Sequence, residues 1–335
     1  MIDKSKVKKI LMISLSNIGD IILTLPVLGV LNREFPDATI TAMAGPRGEE
    51  VFGADTRVEN VVLYNKRVSF FDKLKLGLSL RRDRFDMVVD LRNTFFPLLI
   101  WPRYRTPFFI RFKKQLHSKD KHLKRLSAMG ISVEKGSFAI SLNREDKLGV
   151  QRLLNESGLL LDDKMIAVAP GAKSHIKRWE IDGFKKLCAM LTRELNVKVL
   201  LIGDESDAFI TKDIAESAPV DVYDLSGRTT LRELAYLLSL CKMLVTNDSA
   251  PLHIASAVKL PVVAIFGPTD EKRYGPVYAE SSVVIRKNLK CAPCETALCK
   301  YDLECMKEIS VDEVFAAVRK LMNNKQKKPE TCCLE

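Results

Sequence analysis

Met243-Leu-Val-Thr246 is a short apolar run that breaks into Asn247-Asp248-Ser249-Ala250-Pro251-Leu252-His253. Small residues, Ile254-Ala-Ser-Ala-Val258, lead to a second apolar run, Val262-Val-Ala-Ile-Phe266, which stops at Gly267-Pro268-Thr269-Asp270. Two buried-type strands joined by a helix make a βαβ unit and imply a parallel sheet. Ser249 is placed to cap the helix and Pro251 fits its first turn. The unpaired N–H groups there, with the positive end of the helix dipole, create an anion site. A carboxylate, Asp248, and an imidazole, His253, stand beside it, a composition suited to a ligand carrying both phosphates and hydroxyls.

The same pattern extends outward in both directions. Lys9-Ile-Leu-Met-Ile-Ser14 predicts a buried strand, and Gly19-Asp20 the start of a helix that runs past Pro26 to about Phe35. Further strands are expected over Ala38 to Met43, Asn60 to Tyr64, Met87 to Leu91 and Phe108 to Phe112. A second series opens at Lys164-Met-Ile-Ala-Val-Ala169, enters the loop Pro170-Gly171, and continues through a helix from about Asp182 to Leu195 and a strand, Lys198 to Ile202. Two βα series, each opening with a strand that runs into a glycine loop, predict an α/β chain of two doubly wound, Rossmann-like domains. The expected domains are 1–155 and 156–323, divided near the charged stretch Asn143 to Ser157, with 324–335 a disordered tail. Ligands of open α/β sheets bind outside the carboxyl ends of the strands. The facing ends of two such domains therefore predict a cleft, and Asp20, Lys177, Asp248 and Asp270 all follow strand ends.

The 335 residues, 47% of them hydrophobic, suffice for two cores, and no apolar run reaches the roughly 18 residues of a spanning helix. The first apolar run is interrupted by Asn17, Gly19 and Asp20 and lacks a small-residue cleavage site, so a retained strand is expected rather than an export signal, and a cytoplasmic location with it. The net charge of +11 lies wholly in residues 1–160, which hold 28 Lys/Arg against 17 Asp/Glu. Within it, Arg103, Arg105, Arg111, Lys113, Lys114, Lys119, Lys121, Lys124 and Arg125 interleave with Trp101, Tyr104, Phe108, Phe109 and Phe112. Cations among aromatics suit an anionic membrane surface or an anionic acceptor. Nucleic acid is the lesser reading, since no zinc finger, RNP sequence or basic-leucine pattern accompanies the charge. Without an export signal the eight cysteines are expected as reduced thiols. Cys291, Cys294, Cys299 and Cys305 could supply four thiolates to zinc, but their spacing is not a repeated C-x2-C pair.

Five motifs stand in order along the chain: Gly19-Asp20 with Thr24-Leu25-Pro26; Pro170-Gly171-Ala172 with Lys177-Arg178-Trp179; Leu225 to Leu231, an L-S-G-x-T-x-L stretch; Asp248-Ser249 with His253; and Phe266-Gly267-Pro268-Thr269. Together they resemble glycosyltransferase family 9, the bacterial ADP-heptose:lipopolysaccharide heptosyltransferases, over nearly the whole chain, and the second-heptose type in particular. The resemblance implies a GT-B architecture, two Rossmann-like domains facing across a cleft, with the acceptor on the N-terminal side and the nucleotide-sugar on the C-terminal side. It implies an inverting transfer that uses no metal and no cofactor. Asp20 corresponds by motif to the catalytic aspartate, which as general base takes the acceptor hydroxyl proton. Lys177 corresponds to the lysine that holds the diphosphate, and Asp248 to the position that contacts sugar hydroxyls. Ser249, Ala250 and the helix start behind them would bind the leaving diphosphate, and His253 lies one turn on. Glu205 aligns with an acid that binds the ribose hydroxyls, with Asp204 an adjacent competitor. Arg105, Arg111, Lys113 and Lys114 would meet a Kdo- and heptose-bearing lipid A core acceptor or the anionic inner face of the inner membrane, where the enzyme would sit peripherally.

The chain departs from the family pattern in having Ala250 where glycine is common and Glu180 where proline is common after K-R-W. Ala250 adds a methyl near the expected phosphate site, which bears on donor identity, and another nucleotide-sugar donor is the alternative. An NAD-dependent oxidoreductase would need a G-x-G-x-x-G turn after the first strand, where only Gly19 is present. A non-catalytic nucleotide- or polyanion-binding module would bind sugar-nucleotide without turnover and be indifferent to Asp20→Ala.

Overall fold

A computed structural model describes residues 2–323 except 66, 114, 135–137, 219, 279 and 280. The expected tail, 324–335, lies outside the described residues. The chain divides into two compact units at Ser141/Leu142.

The first unit is built on a parallel sheet of β1 (Lys9–Ile13), β2 (Thr39–Ala44), β3 (Asn60–Leu63), β4 (Met87–Asp90) and β5 (Tyr104–Arg105), in the order β3-β2-β1-β4-β5. The central strands β1 and β4 are almost wholly buried, as befits strands covered on both faces. The second unit has β6 (Met165–Ala169), β7 (Lys198–Leu201), β8 (Val222–Asp224), β9 (Met243–Asn247), β10 (Val262–Ile265) and β11 (Ser282–Ile285), in the order β11-β10-β9-β6-β7-β8, again all parallel. Both orders are those of a doubly wound sheet whose winding reverses beside its first strand. The reversal falls between β1 and β4 in one unit and between β6 and β9 in the other. Those are the two places where the fold leaves a crevice at the carboxyl ends of its strands.

Three expectations are corrected. The fifth strand is Tyr104–Arg105, not Phe108 to Phe112. Tyr104 N donates to Asp86 O and Thr106 N to Val88 O, and then Pro107, with no N–H, ends the ladder and leaves Phe109 98% exposed. The helix after β1 is two helices, Ile18–Ile22 and Leu25–Glu34. Pro26 cannot donate to Ile22 O, and Thr24 turns the chain there, its Oγ1 2.7 Å from Ile21 O and 2.9 Å from Ser14 Oγ. Finally, helix Arg144–Glu156, expected in the first domain, belongs with the second unit. Arg232 Nε and Nη2 clasp Asp146 Oδ2 at 3.0 and 2.5 Å, and Gly149 leaves the space that the Glu233 side chain fills.

Candidate active site

In the second unit three separated motifs meet on one carboxylate. Asp248 follows β9 directly and is buried. Its Oδ2 accepts from Lys177 Nζ at 2.7 Å and from Thr269 Oγ1 at 2.7 Å. Lys177 comes from the short helical turn His175–Lys177 after β6, and Thr269 from the Gly-Pro-Thr loop after β10. Asn247, fully buried at the end of β9, ties the same parts through its amide: Nδ2 donates to Pro170 O at 2.8 Å, and Oδ1 accepts from Trp179 N at 3.1 Å. Trp179 is anchored by Nε1 on Ile309 O at 2.9 Å and by the edge of Phe184, 4.9 Å between centroids. Lys177 therefore projects from a pinned loop, with its own side chain still 30% exposed.

Ser249 occupies the cap position of helix Ala250–Ala257 with extended backbone, but its hydroxyl makes no capping bond; it lies 3.2 Å from Thr246 Oγ1 instead. The expectation of a side-chain cap is thus corrected, and the cause is the Thr246 hydroxyl, which holds Ser249 back from the helix. The consequence is chemical: Pro251 has no N–H and Leu252 N donates to Ser249 O at 3.2 Å, so in the first turn it is the Ala250 N–H that keeps its donor capacity for an anion. Ala250 and Pro251 open that helix, and His253 is buried within it.

Glu205 stands apart, on the Gly203-Asp204-Glu205 loop after β7, and the structure distinguishes it from Asp204. Asp204 Oδ1 is engaged as a cap, accepting from Ser206 N at 2.9 Å and Ser206 Oγ at 2.5 Å. Glu205 is exposed with no side-chain hydrogen bond among the described residues, and lies over Gly227, whose left-handed φ of 68° and missing side chain admit it. Asp207 fills the space against Gly171, where a Cβ would come within 2.1 Å of its carboxyl carbon. Burial first, and then the negative Asp204, hold the Asp207 carboxyl above its ordinary range. Asp270 caps the short helix Glu271–Tyr274, accepting from Lys272 N at 3.0 Å.

In the first unit, Asp20 lies in the opening turn of helix Ile18–Ile22, partly exposed, with Oδ2 accepting from Asn17 Nδ2 at 3.0 Å. The loop that carries it is braced from β4: Arg92 Nη1 donates to Ser16 Oγ at 2.9 Å, with its guanidinium 5.7 Å from the Tyr64 ring centroid. Asp90 gathers Arg92 N, Thr94 N and Thr94 Oγ1 at 2.8, 2.5 and 2.8 Å; burial nonetheless pushes its carboxyl up. Gly45 permits the close pass, since a Cβ there would lie 2.6 Å from Ser16 Cα. Arg105, Arg111 and Lys113 are exposed, Arg105 lying 5.5 Å from the Phe108 ring centroid; Lys114 lies outside the described residues.

The cysteine segment backs the Gly-Pro-Thr loop. Cys294 N and Glu295 N donate to Pro268 O at 3.0 and 2.8 Å, and Met306 and Cys305 occupy the space beside Gly267. Burial first, then the neighbouring thiols, push Cys305 up to about 11. Among the described residues no group of three or more His, Cys, Asp or Glu side chains is placed to hold a metal ion. The sequence reading did not single out Asn247, Thr269 or Arg92 as site residues. For Asn247 and Arg92 the signal was position alone, a polar side chain within a few residues of a buried apolar run, while Thr269 also closes the Phe266-Gly267-Pro268-Thr269 motif.

The model of glycosyltransferase family 9 (heptosyltransferase) matches residues 99–304. A lipooligosaccharide heptosyltransferase 2 of Campylobacter jejuni is 24% identical over 314 residues, 91% of this chain and 96% of that protein. A lipopolysaccharide heptosyltransferase 3 of Escherichia coli is 26% identical over 334 residues, 91% and 95% of the two chains. Among solved structures, a family 9 glycosyl transferase from Veillonella parvula superposes with a TM-score of 0.82 at 22% identity, covering 96% of this chain and 98% of that one. The E. coli ADP-heptose lps heptosyltransferase II superposes at 0.74, with 22% identity and 94% and 98% coverage. With its two Rossmann-like sheets in the GT-B manner, the chain belongs to glycosyltransferase family 9, the heptosyltransferases.

Proposed function

We propose that this enzyme transfers a heptosyl residue from ADP-L-glycero-D-manno-heptose to the inner core of lipopolysaccharide or lipooligosaccharide, with inversion and without a metal ion. The observation that carries the reading is the meeting of Lys177 and Thr269 on Asp248, beside a helix start that the Ser249 hydroxyl does not cap. The names of the relatives support the donor and the core acceptor.

In this reading Asp20 takes the proton of an acceptor hydroxyl as that oxygen bonds to the anomeric carbon, and the bond from that carbon to the diphosphate breaks on the opposite face. A single displacement inverts the configuration. ADP leaves with growing negative charge. Lys177, the Ala250 N–H and the Ser249 hydroxyl are donors that stabilise it, the role a metal ion plays elsewhere. Asp248, held by Thr269, orients Lys177 and accepts from the sugar hydroxyls. Glu205 takes the ribose hydroxyls. Arg105, Arg111 and Lys113 neutralise phosphates and carboxylates of the core, at the cytoplasmic face of the inner membrane.

The test is ADP release from ADP-heptose with a heptose-deficient core acceptor, in the presence of chelator. Acceptor-dependent release that survives chelation is expected. No release with any core acceptor would remove the heptose assignment and send the donor question to other nucleotide-sugars.

A further inference from the structure

One surface of the first unit has no part in this chemistry. Helix Phe70–Arg82 turns Gly77 and Leu80 inward, and Gly77 lets it lie against helix Phe96–Ile100: a Cβ at Gly77 would come within 2.5 Å of Leu99 Cδ1. The outer side is apolar where water would favour polar groups. Phe70 and Phe71 are 64% and 72% exposed, with centroids 6.3 Å apart, and Phe70 lies 6.1 Å from Phe95. Leu98 and Trp101 extend the exposed apolar surface from the second helix, Trp101 being 72% exposed. Along the first helix, Phe71, Leu74, Lys75, Leu78 and Arg82 share one stripe by their spacing of three and four.

The charges around this patch are mostly positive, Asp72 and Asp83 being the acids of the helix and its end. Lys75, Arg81 and Arg82 make no ion pair among the described residues. The one acid of the helix, Asp72, is bonded to Ser69 Oγ at 2.7 Å, and Arg103 lies just past Trp101. A short helix with Phe and Leu on one stripe and unpaired cations beside them matches the physics of an interfacial helix: apolar side chains enter the headgroup layer and Lys and Arg meet lipid phosphates. No helix among the described residues is long and apolar enough to cross a membrane, so attachment by this route would be peripheral.

We infer that the face formed by helices Phe70–Arg82 and Phe96–Ile100 docks the enzyme on an anionic lipid bilayer, through Phe70, Phe71, Leu98 and Trp101 ringed by Lys75, Arg81, Arg82 and Arg103. The inference deepens the proposed function, on which its biological sense rests, and moves the membrane contact from the basic stretch Arg105 to Lys113 to these two helices.

The chain supplies its own reporter. It has two tryptophans, and Trp179 is 2% exposed and hydrogen-bonded, so a change in emission on adding lipid reports Trp101. Vesicles of phosphatidylcholine alone and of phosphatidylcholine with phosphatidylglycerol are compared by flotation and by fluorescence. The full chain should float with the anionic vesicles, its emission shifting to the blue, and bind the neutral ones at least about tenfold more weakly. K75E/R82E should weaken binding by about tenfold or more, and F71S/L78S should abolish the blue shift. Because these side chains are exposed, both variants should keep the wild-type melting midpoint and wild-type ADP release with a delipidated, water-soluble acceptor. The proposal is overturned if the wild type does not float, if both variants float undiminished, or if the wild type is a dimer that F71S/L78S dissociates, which would give the patch to a second copy. Vesicle binding without ADP release would defeat the transferase reading and leave this one standing.

Discussion

The two units share a strand order and differ in how each treats the crevice where its winding reverses. Between β6 and β9 the loops are wired to one another. Asn247 holds both the Pro170 loop and Trp179, and Lys177, Asp248 and Thr269 form a chain of short bonds around a carboxylate with only 6% side-chain exposure. Between β1 and β4 the loop is braced from behind by Arg92, but the carboxylate it presents, Asp20, has a single hydrogen bond among the described residues, from Asn17, and stays partly exposed. A preorganised cluster suits the recognition of a diphosphate, whose charge must be met by groups already in place. A lightly held carboxylate suits proton transfer, since it must still accept a bond from the incoming hydroxyl.

If that contrast is real, the two crevices should fail differently when cut. Asp20→Ala should lower turnover by about 10²-fold or more while leaving ADP binding within about twofold, because nothing on the donor side depends on it. Single-turnover ADP release and calorimetric ADP titration measure the two. An equal loss in both would erase the division of labour. Lys177→Ala should instead injure binding and folding together. It leaves Asp248, among the described residues, with the Thr269 hydroxyl alone, a cost of about 2 kcal/mol, below that of a fully buried pair because Lys177 is part exposed. Adding Asp248→Asn to Lys177→Ala should restore most of the lost stability and none of the ADP affinity. If the double variant is no more stable than the single one, the pair is not what organises the site.

The units should also part company in acid. His122, buried in helix Ser118–Ser127 of the first unit, is lowered from 6.5 to about 3, by burial first and then by the charges of Arg125, Lys121 and His117. Its Nδ1 has no partner among the described residues. Above pH 6.5 neither the folded nor the unfolded chain protonates it. Below 6.5 the unfolded chain takes up a proton that the folded one refuses, so stability falls as pH falls, by about 2 kcal/mol at pH 5. His122→Leu should flatten that slope in calorimetry between pH 6.5 and 5, in the transition that belongs to the first unit. Equal slopes in variant and wild type would mean that His122 is not held neutral.

What the sequence disclosed follows the same contrast. Strands such as β6, β9 and β10 were legible because a parallel strand buried on both faces is a continuous apolar run between turns. Asp20, Lys177 and Asp248 were picked out by the motifs in which they stand, since a place after a strand end marks Asp270 equally, and Asp270 is a helix cap. The pairings were not. Lys177 and Asp248 are 71 residues apart, and Thr269 reaches Asp248 from 21 residues on, contacts that periodicity cannot register. The two-residue strand β5 escaped because an edge strand needs only one partner and little hydrophobicity, while the richer aromatic run Phe108 to Phe112 has Pro107 before it and no ladder to join.

Thr269 gives the finest cut, because it touches the cluster through one atom. Its Oγ1 donates to the oxygen of Asp248 that also accepts from Lys177, so removing it leaves the ion pair intact but less constrained. Thr269→Val keeps the shape and the β-branch and deletes only the donor, and a hydrogen bond to a charged group contributes about 1.5 kcal/mol or somewhat more. If Thr269 serves to aim Asp248, the variant should bind ADP-heptose about tenfold more weakly while binding ADP almost normally, because Asp248 is proposed to meet the sugar and Lys177 the diphosphate. If ADP and ADP-heptose weaken in step, Thr269 acts on the whole cluster, and the separation of sugar from diphosphate within the second unit has to be withdrawn.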